Sequence, residues 1–102
     1  MTPQQGEIWW AEAEDKRRPV LIVSRSEASE ILNRVIVAPV SRTVRGIPTE
    51  IELDESTGLK EFCAASFDNL SPQLVVLLTK RIGRIEFART RICQALEALA
   101  DC

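Results

Sequence analysis

At 102 residues, with 45% hydrophobic residues and a net charge of −2, the chain has material for one core and little more, and residues 1–102 are expected to form one domain. Histidine is absent, which removes the usual proton shuttle and the commonest metal ligand, and three widely spaced cysteines, Cys63, Cys93 and Cys102, argue for free thiols over a disulfide framework or a zinc site. No apolar run reaches bilayer length, and the first residues lack the charged and apolar parts of a signal peptide, so a cytoplasmic protein without a membrane partner is expected.

Gly6 to Glu12 reads as a first strand, with Ile8 and Trp10 on one face and Glu7 and Trp9 on the other. Trp10 is assigned to the core. Trp9 is open to three uses: core, subunit interface or stacking surface. A polar connection ends in Lys16, Arg17 and Arg18, and Pro19 after it holds Arg18 extended. Val20 to Val23 is a second, apolar strand. An arginine at the mouth of such a strand suits phosphate recognition, although a surface arginine lying over the core has the same sequence. Ser26 to Leu32 is expected to form a short helix, with Ser26 as its N-cap.

The central stretch follows. Val35 to Val40 is a β-branched run, read as a buried strand, and Thr49 to Leu53 alternates as a strand with one wet face would. Between them lies a loop of hydroxyls and bases: Ser41, Arg42, Thr43, Arg45, with Gly46 expected at positive φ and Pro48 at a strand start. Residues 16–45 carry seven basic and two acidic side chains, whereas residues 46–70 carry six acidic and one basic. A basic segment in an acidic chain is either a local polyanion site or a set of solvated loops, and charge alone does not choose. Glu50, Glu52 and Asp54 alternate as a solvated face.

Phe62 to Phe67 is a small-residue strand leading into a turn at Asp68 to Pro72, then Leu74 to Leu78 is an apolar strand and Thr79 to Ile85 continues it. From Phe87 the period becomes helical, with Ala88, Ile92, Ala95, Leu96 and Leu99 on one stripe. Several short strands and a closing helix predict a mainly β (α+β) fold, a small, strongly bent sheet or barrel with a short helix after the second strand and a C-terminal helix.

There is no nucleophile elbow, Walker A loop, dinucleotide fingerprint or metal-ligand spacing, and no histidine to serve a catalytic triad. One chemistry needs neither metal nor histidine: cleavage of RNA by its own 2′-hydroxyl. There the protein orients the attack and neutralises charge on the phosphate, which an arginine and a hydroxyl can do. Composition permits this chemistry without selecting it.

Gly6-Glu-Ile-Trp-Trp, Arg18-Pro-Val-Leu-Ile-Val, Val37-Ala-Pro-Val-Ser-Arg-Thr-Val-Arg-Gly-Ile-Pro-Thr-Glu-Ile, Asp68-Asn-Leu and Ile82-Gly-Arg-Ile occur in that order over nearly the whole chain. In these pieces the sequence resembles the MazF/PemK/Kid toxins, and its central loop looks most like their actinobacterial branch. The resemblance implies an SH3-like barrel that forms a homodimer. It also implies a metal-independent, cofactor-free endoribonuclease that cuts single-stranded RNA, leaving a 2′,3′-cyclic phosphate and a 5′-hydroxyl, and a cognate antitoxin that covers the RNA groove. On that resemblance Arg18 matches the catalytic arginine before proline, neutralising the scissile phosphate with a share in proton transfer. Ser41 matches the catalytic threonine without the methyl that stiffens χ1, so a looser aim is expected. Lys16, Arg17, Arg42, Thr43 and Arg45 would hold the RNA, as would Asp68 and Asn69. Some relatives pair an acid at the Asp68 position with an arginine two residues earlier, and Ser66 stands there instead. The alternative is a non-catalytic toxin or binding module on the same barrel, poisoning gyrase or only sequestering an antitoxin.

Overall fold

The computed structural model describes residues 2–25 and 33–100. Its strands are β1 (Glu7–Glu12), β2 (Arg17–Ile22), β3 (Arg34–Ser41), β4 (Glu50–Leu53), β5 (Cys63–Ser66), β6 (Ser71–Leu74) and β7 (Leu78–Arg84), followed by helix α1 (Ala88–Leu99). All pairings are antiparallel, in the order β4-β5-β3-β2-β1-β7. This is the expected mainly β fold, a curled half-barrel sheet with a C-terminal helix. The expected Ser26–Leu32 helix lies outside the described residues.

β3 is where the sheet changes partners. Its first half, Arg34 to Val37, pairs with Leu74 to Ser71 of β6, and its last residues, Val40 and Ser41, pair with Ala65 and Ala64 of β5. Pro39 stands in the interval between these ladders, where a residue without an N–H costs neither of them a bond. Two register shifts between β1 and β7 add curl, as bulges do.

Strand alternation then sorts the side chains. Ile8, Leu21 and Ala38 share a row across β1, β2 and β3 and face inward, packing with Leu53, Phe67 and Ile85 and with Ile92 and Ala95 of α1. The next row faces the opposite side of the sheet, outward from that core: Trp9, Val20, Ile22, Val35, Val37 and Leu78 make a second apolar cluster that is itself buried. That cluster runs into exposed Ile36, Leu74, Leu77 and Val76, the last of them 81% exposed.

Three expectations change. The run Leu74–Leu78 is not a strand: β6 begins earlier, at Ser71, and Val75–Leu77 is a 3-10 turn held by Val75 N–H donating to the Asn33 carbonyl. β6 is an edge strand on β3, so it tolerates Pro72, and the turn carries the chain towards β7 on the far edge. Trp10 is only half-buried, while Trp9 is the buried one at 6% exposure. Leu99, expected on the buried stripe of α1, is exposed. Gly46 has φ +68°, as its place in the loop predicts.

Candidate active site

Arg18 and Ser41 stand at the ends of the neighbouring strands β2 and β3. Val20 pairs with Pro39 and Ile22 with Val37 across β2 and β3. The ladder ends at Val20 and Pro39; by alternation Arg18 shares the face of Val20 and Ile22, and Ser41 the face of Pro39 and Val37, so the two fall on one side of neighbouring strands. Both are exposed, on the outward face that continues the Trp9–Val20–Val37 row. Arg18 lies within β2, across from Ala11 of β1, so its backbone is held on a rigid element.

Ser41 is steadied by the loop that follows it. Thr43 N–H donates to Ser41 Oγ at 3.1 Å. That bond occupies one lone pair and leaves the Ser41 O–H free to donate elsewhere. That hydrogen bond from the loop restrains the serine side chain, which lacks the stiffening methyl of a threonine. Glu50 fixes the far end, with Oε1 accepting from Arg45 N–H at 2.9 Å and Gly46 N–H at 3.2 Å. Glu50 N–H in turn donates to the Ile47 carbonyl. Sequence reasoning missed this use of Glu50. The available signal was an acid at the start of a strand, just after a glycine turn whose N–H groups need an acceptor.

The remaining candidates divide. Lys16 sits in the β1–β2 hairpin, its carbonyl accepting from Ala13 N–H at 2.8 Å. Arg17 and Arg42 neighbour Arg18 and Ser41 in sequence; alternation along β2 turns Arg17 to the opposite, inward face, and Arg42, just past the end of β3, reaches the same cavity as Arg17. The Arg17 guanidinium lies over the Trp10 ring, 4.6 Å from its centroid. Arg42 Nη1 is 3.3 Å from Glu61 Oε2, an exposed ion pair of little energetic weight. Asp68 and Asn69 lie on a 3-10 turn after β5 and have local duties: Asp68 Oδ2 accepts from Thr49 Oγ1 at 2.8 Å, and Asn69 Nδ2 donates to Ser66 Oγ at 3.2 Å.

Trp10, Arg17 and Arg42 line a cavity of about 690 Å³ at the open end of the barrel, reached also by Lys60, Lys80 and Cys63. Burial pushes the Cys63 thiol above its usual range, helped by the nearby Glu61 carboxylate, so it is kept protonated and unreactive. Cys63 and Cys93 are free thiols. Among the described residues no three metal-ligating side chains converge, and no helix is long and apolar enough to cross a membrane.

Comparison with known proteins gives one consistent match. Residues 4–101 match the family model for "PemK-like, MazF-like toxin of type II toxin-antitoxin system". The chain is 41% identical over 103 residues to a probable endoribonuclease MazF5 of Mycobacterium tuberculosis, covering 98% of this chain and 94% of that one. Among solved structures it is similar to the Mycobacterium tuberculosis toxin MazF-mt6, with TM-score 0.80 and 35% identity over 91% of this chain and 95% of that one. A mycobacterial endoribonuclease in complex with its cognate antitoxin shares the fold, with TM-score 0.79 at 24% identity over 95% of this chain and 94% of the other.

Proposed function

The chain belongs to the PemK-like, MazF-like toxins of type II toxin–antitoxin systems, and on that premise we propose that it is a sequence-specific endoribonuclease acting on single-stranded RNA. It cuts through attack of the substrate's 2′-hydroxyl, so the P–O2′ bond forms, the P–O5′ bond breaks, and the ends are a 2′,3′-cyclic phosphate and a 5′-hydroxyl. Cutting transcripts stops translation and growth. Residues 1–102 act as one toxin domain. It works in the cytoplasm, where RNA substrates and a MazE-like antitoxin are made.

What supports this reading is that Arg18 and Ser41, both exposed, fall by alternation on one face at the ends of the neighbouring strands β2 and β3. Arg18 supplies a fixed planar cation to the scissile phosphate, forming charge-assisted hydrogen bonds with its nonbridging oxygens. Ser41, its oxygen already accepting from Thr43 N–H, donates its own proton to the same phosphate as negative charge grows there. No step calls for a metal. Exposed Ile36, Leu74, Val76 and Leu77 border the second buried cluster, and a second copy covers them, so that RNA lies along the seam of a homodimer. The antitoxin blocks that groove.

Purified protein incubated with single-stranded RNA in EDTA tests the proposal. Cleavage with cyclic-phosphate ends, lost in folded Arg18→Ala and Ser41→Ala variants, is the expected result. Intact RNA together with arrested supercoiling by gyrase would overturn it in favour of a non-catalytic toxin.

A further inference from the structure

The geometry points to the open mouth of the barrel as a second RNA subsite, one that takes a nucleotide flanking the scissile phosphate; this rests on the ribonuclease reading above. The mouth is the inward-facing cavity of about 690 Å³ at the end of β1, β2 and β7, closed on one side by the segment following the Glu55–Thr57 turn. That volume lies within the ~300–1,000 Å³ of small-ligand sites, which favour the mouths of barrels.

Its chemistry is two-layered. Trp10, Pro19 and Val40 form an apolar floor, and Arg17, Arg42, Lys60 and Lys80 stand around it. The one acid in the lining, Glu61, is paired with Arg42. Arg81 also reaches the cavity, but its guanidinium is turned to Glu7, with Nε 2.7 Å from Oε2. Lys60 and Lys80 are exposed. The guanidinium of Arg17 lies over the Trp10 ring, 4.6 Å from its centroid, and joins a cation to an aromatic side chain, the two groups on which unpaired bases stack.

Continuity with the catalytic face selects RNA over an acidic peptide, which would meet the same charges. Arg17 and Arg18 are consecutive, as are Ser41 and Arg42, and alternation sends one of each pair outward and the other inward. The ends of β2 and β3 therefore form a ridge one strand thick. A strand with its scissile phosphate at Arg18 and Ser41 reaches the mouth by bending over that ridge. Base choice at the flanking position is then made by stacking and fit inside the barrel end, away from the outer face where cleavage occurs.

The test uses the full chain and a mixed-sequence, wholly 2′-O-methylated single-stranded RNA, which binds but cannot be cut, with affinity read by fluorescence anisotropy over a range of salt. Lys60→Gln/Lys80→Gln is expected to bind several-fold more weakly and to lower the salt slope by about 0.7 for each phosphate left without its lysine. Arg84→Gln/Arg89→Gln, which removes the same charge near α1, is the control and should leave both unchanged. Lys80→Gln alone repeats the test if the double variant does not fold. Equal losses in test and control, or no loss in either, overturn the subsite. So does an acidic, leucine-containing peptide whose binding is lost in Lys60→Gln/Lys80→Gln while RNA binding is kept. Cutting of unmodified RNA is scored separately: a protein that binds through the mouth and does not cut keeps the subsite and loses the nuclease.

Discussion

Replacing Ser41 by alanine separates the proposed catalytic role from stability. The Oγ atom makes one described hydrogen bond, accepting from Thr43 N–H at 3.1 Å, and both residues are exposed. Removing it frees an N–H that water can satisfy, so the stability cost stays at or below the ~0.5–1.5 kcal/mol of an ordinary hydrogen bond. At ~4–8 °C per kcal/mol for a small domain, Tm falls by only a few degrees. On the role proposed for Ser41, the expected rate loss is much larger. A hydroxyl aimed at the developing phosphate charge is worth about 10²–10³ in kcat, as for other preorganised donors. Ser41→Ala should thus lower cleavage of a fluorogenic RNA by two to three orders of magnitude while the melting curve barely moves. Ser41→Thr, which keeps the hydroxyl and restores the stiffening methyl, should recover most of the rate. Cleavage by Ser41→Ala close to the wild-type rate would refute the assignment of Ser41.

Other outcomes follow from the same geometry. Glu50→Ala removes the shared acceptor of Arg45 and Gly46 N–H, so the loop beside Ser41 should gain amide exchange and RNA cleavage should lose fidelity between sites more than it loses fold. Gly83→Ala drives a Cβ to within 1.9 Å of the Thr57 carbonyl oxygen, and chemical denaturation should show a loss of ~1–3 kcal/mol or more. Hydrogen bonds from the Ser56 hydroxyl and then its N–H hold the Asp54 carboxyl below its ordinary 3.8. A depressed folded-state pKa stabilises above the unfolded value and ceases to do so as pH falls through the folded one. The Tm gap between wild type and Asp54→Ala should therefore be constant at neutral pH and close below pH 3.8; a gap that stays constant into that range contradicts it.

Much of the architecture was legible because the signals were local. Alternation in Gly6–Glu12, the β-branched run of β3 and the helical stripe of α1 each declare their period within one element. β6 and the turn after it were misread because Leu74–Leu78 is apolar like a buried strand; its fate depends on which edge of β3 is free, and no local pattern reports that. Trp10 failed for a related reason. Its alternation correctly placed it on the inward face, but it lies at the end of the barrel where that face opens, and Arg17 covers it there. Arg18 was legible through Pro19. The separation of Arg17 and Arg42 from the Arg18–Ser41 pair follows from alternation alone, once the register between β2 and β3 is known.

The hand-over on β3 also bears on how such a chain can change over generations. An insertion of one residue ahead of Val20 would put the hairpin out of phase: Arg17 would turn outward and Arg18 inward, and the two arginines would trade places without either being substituted. Length changes between Thr43 and Pro48 alter no parity, because strand pairing resumes only at Glu50. Length can therefore drift through that loop, whereas the spacing from Arg17 to Ile22 is locked by the two-sided arithmetic of the strand.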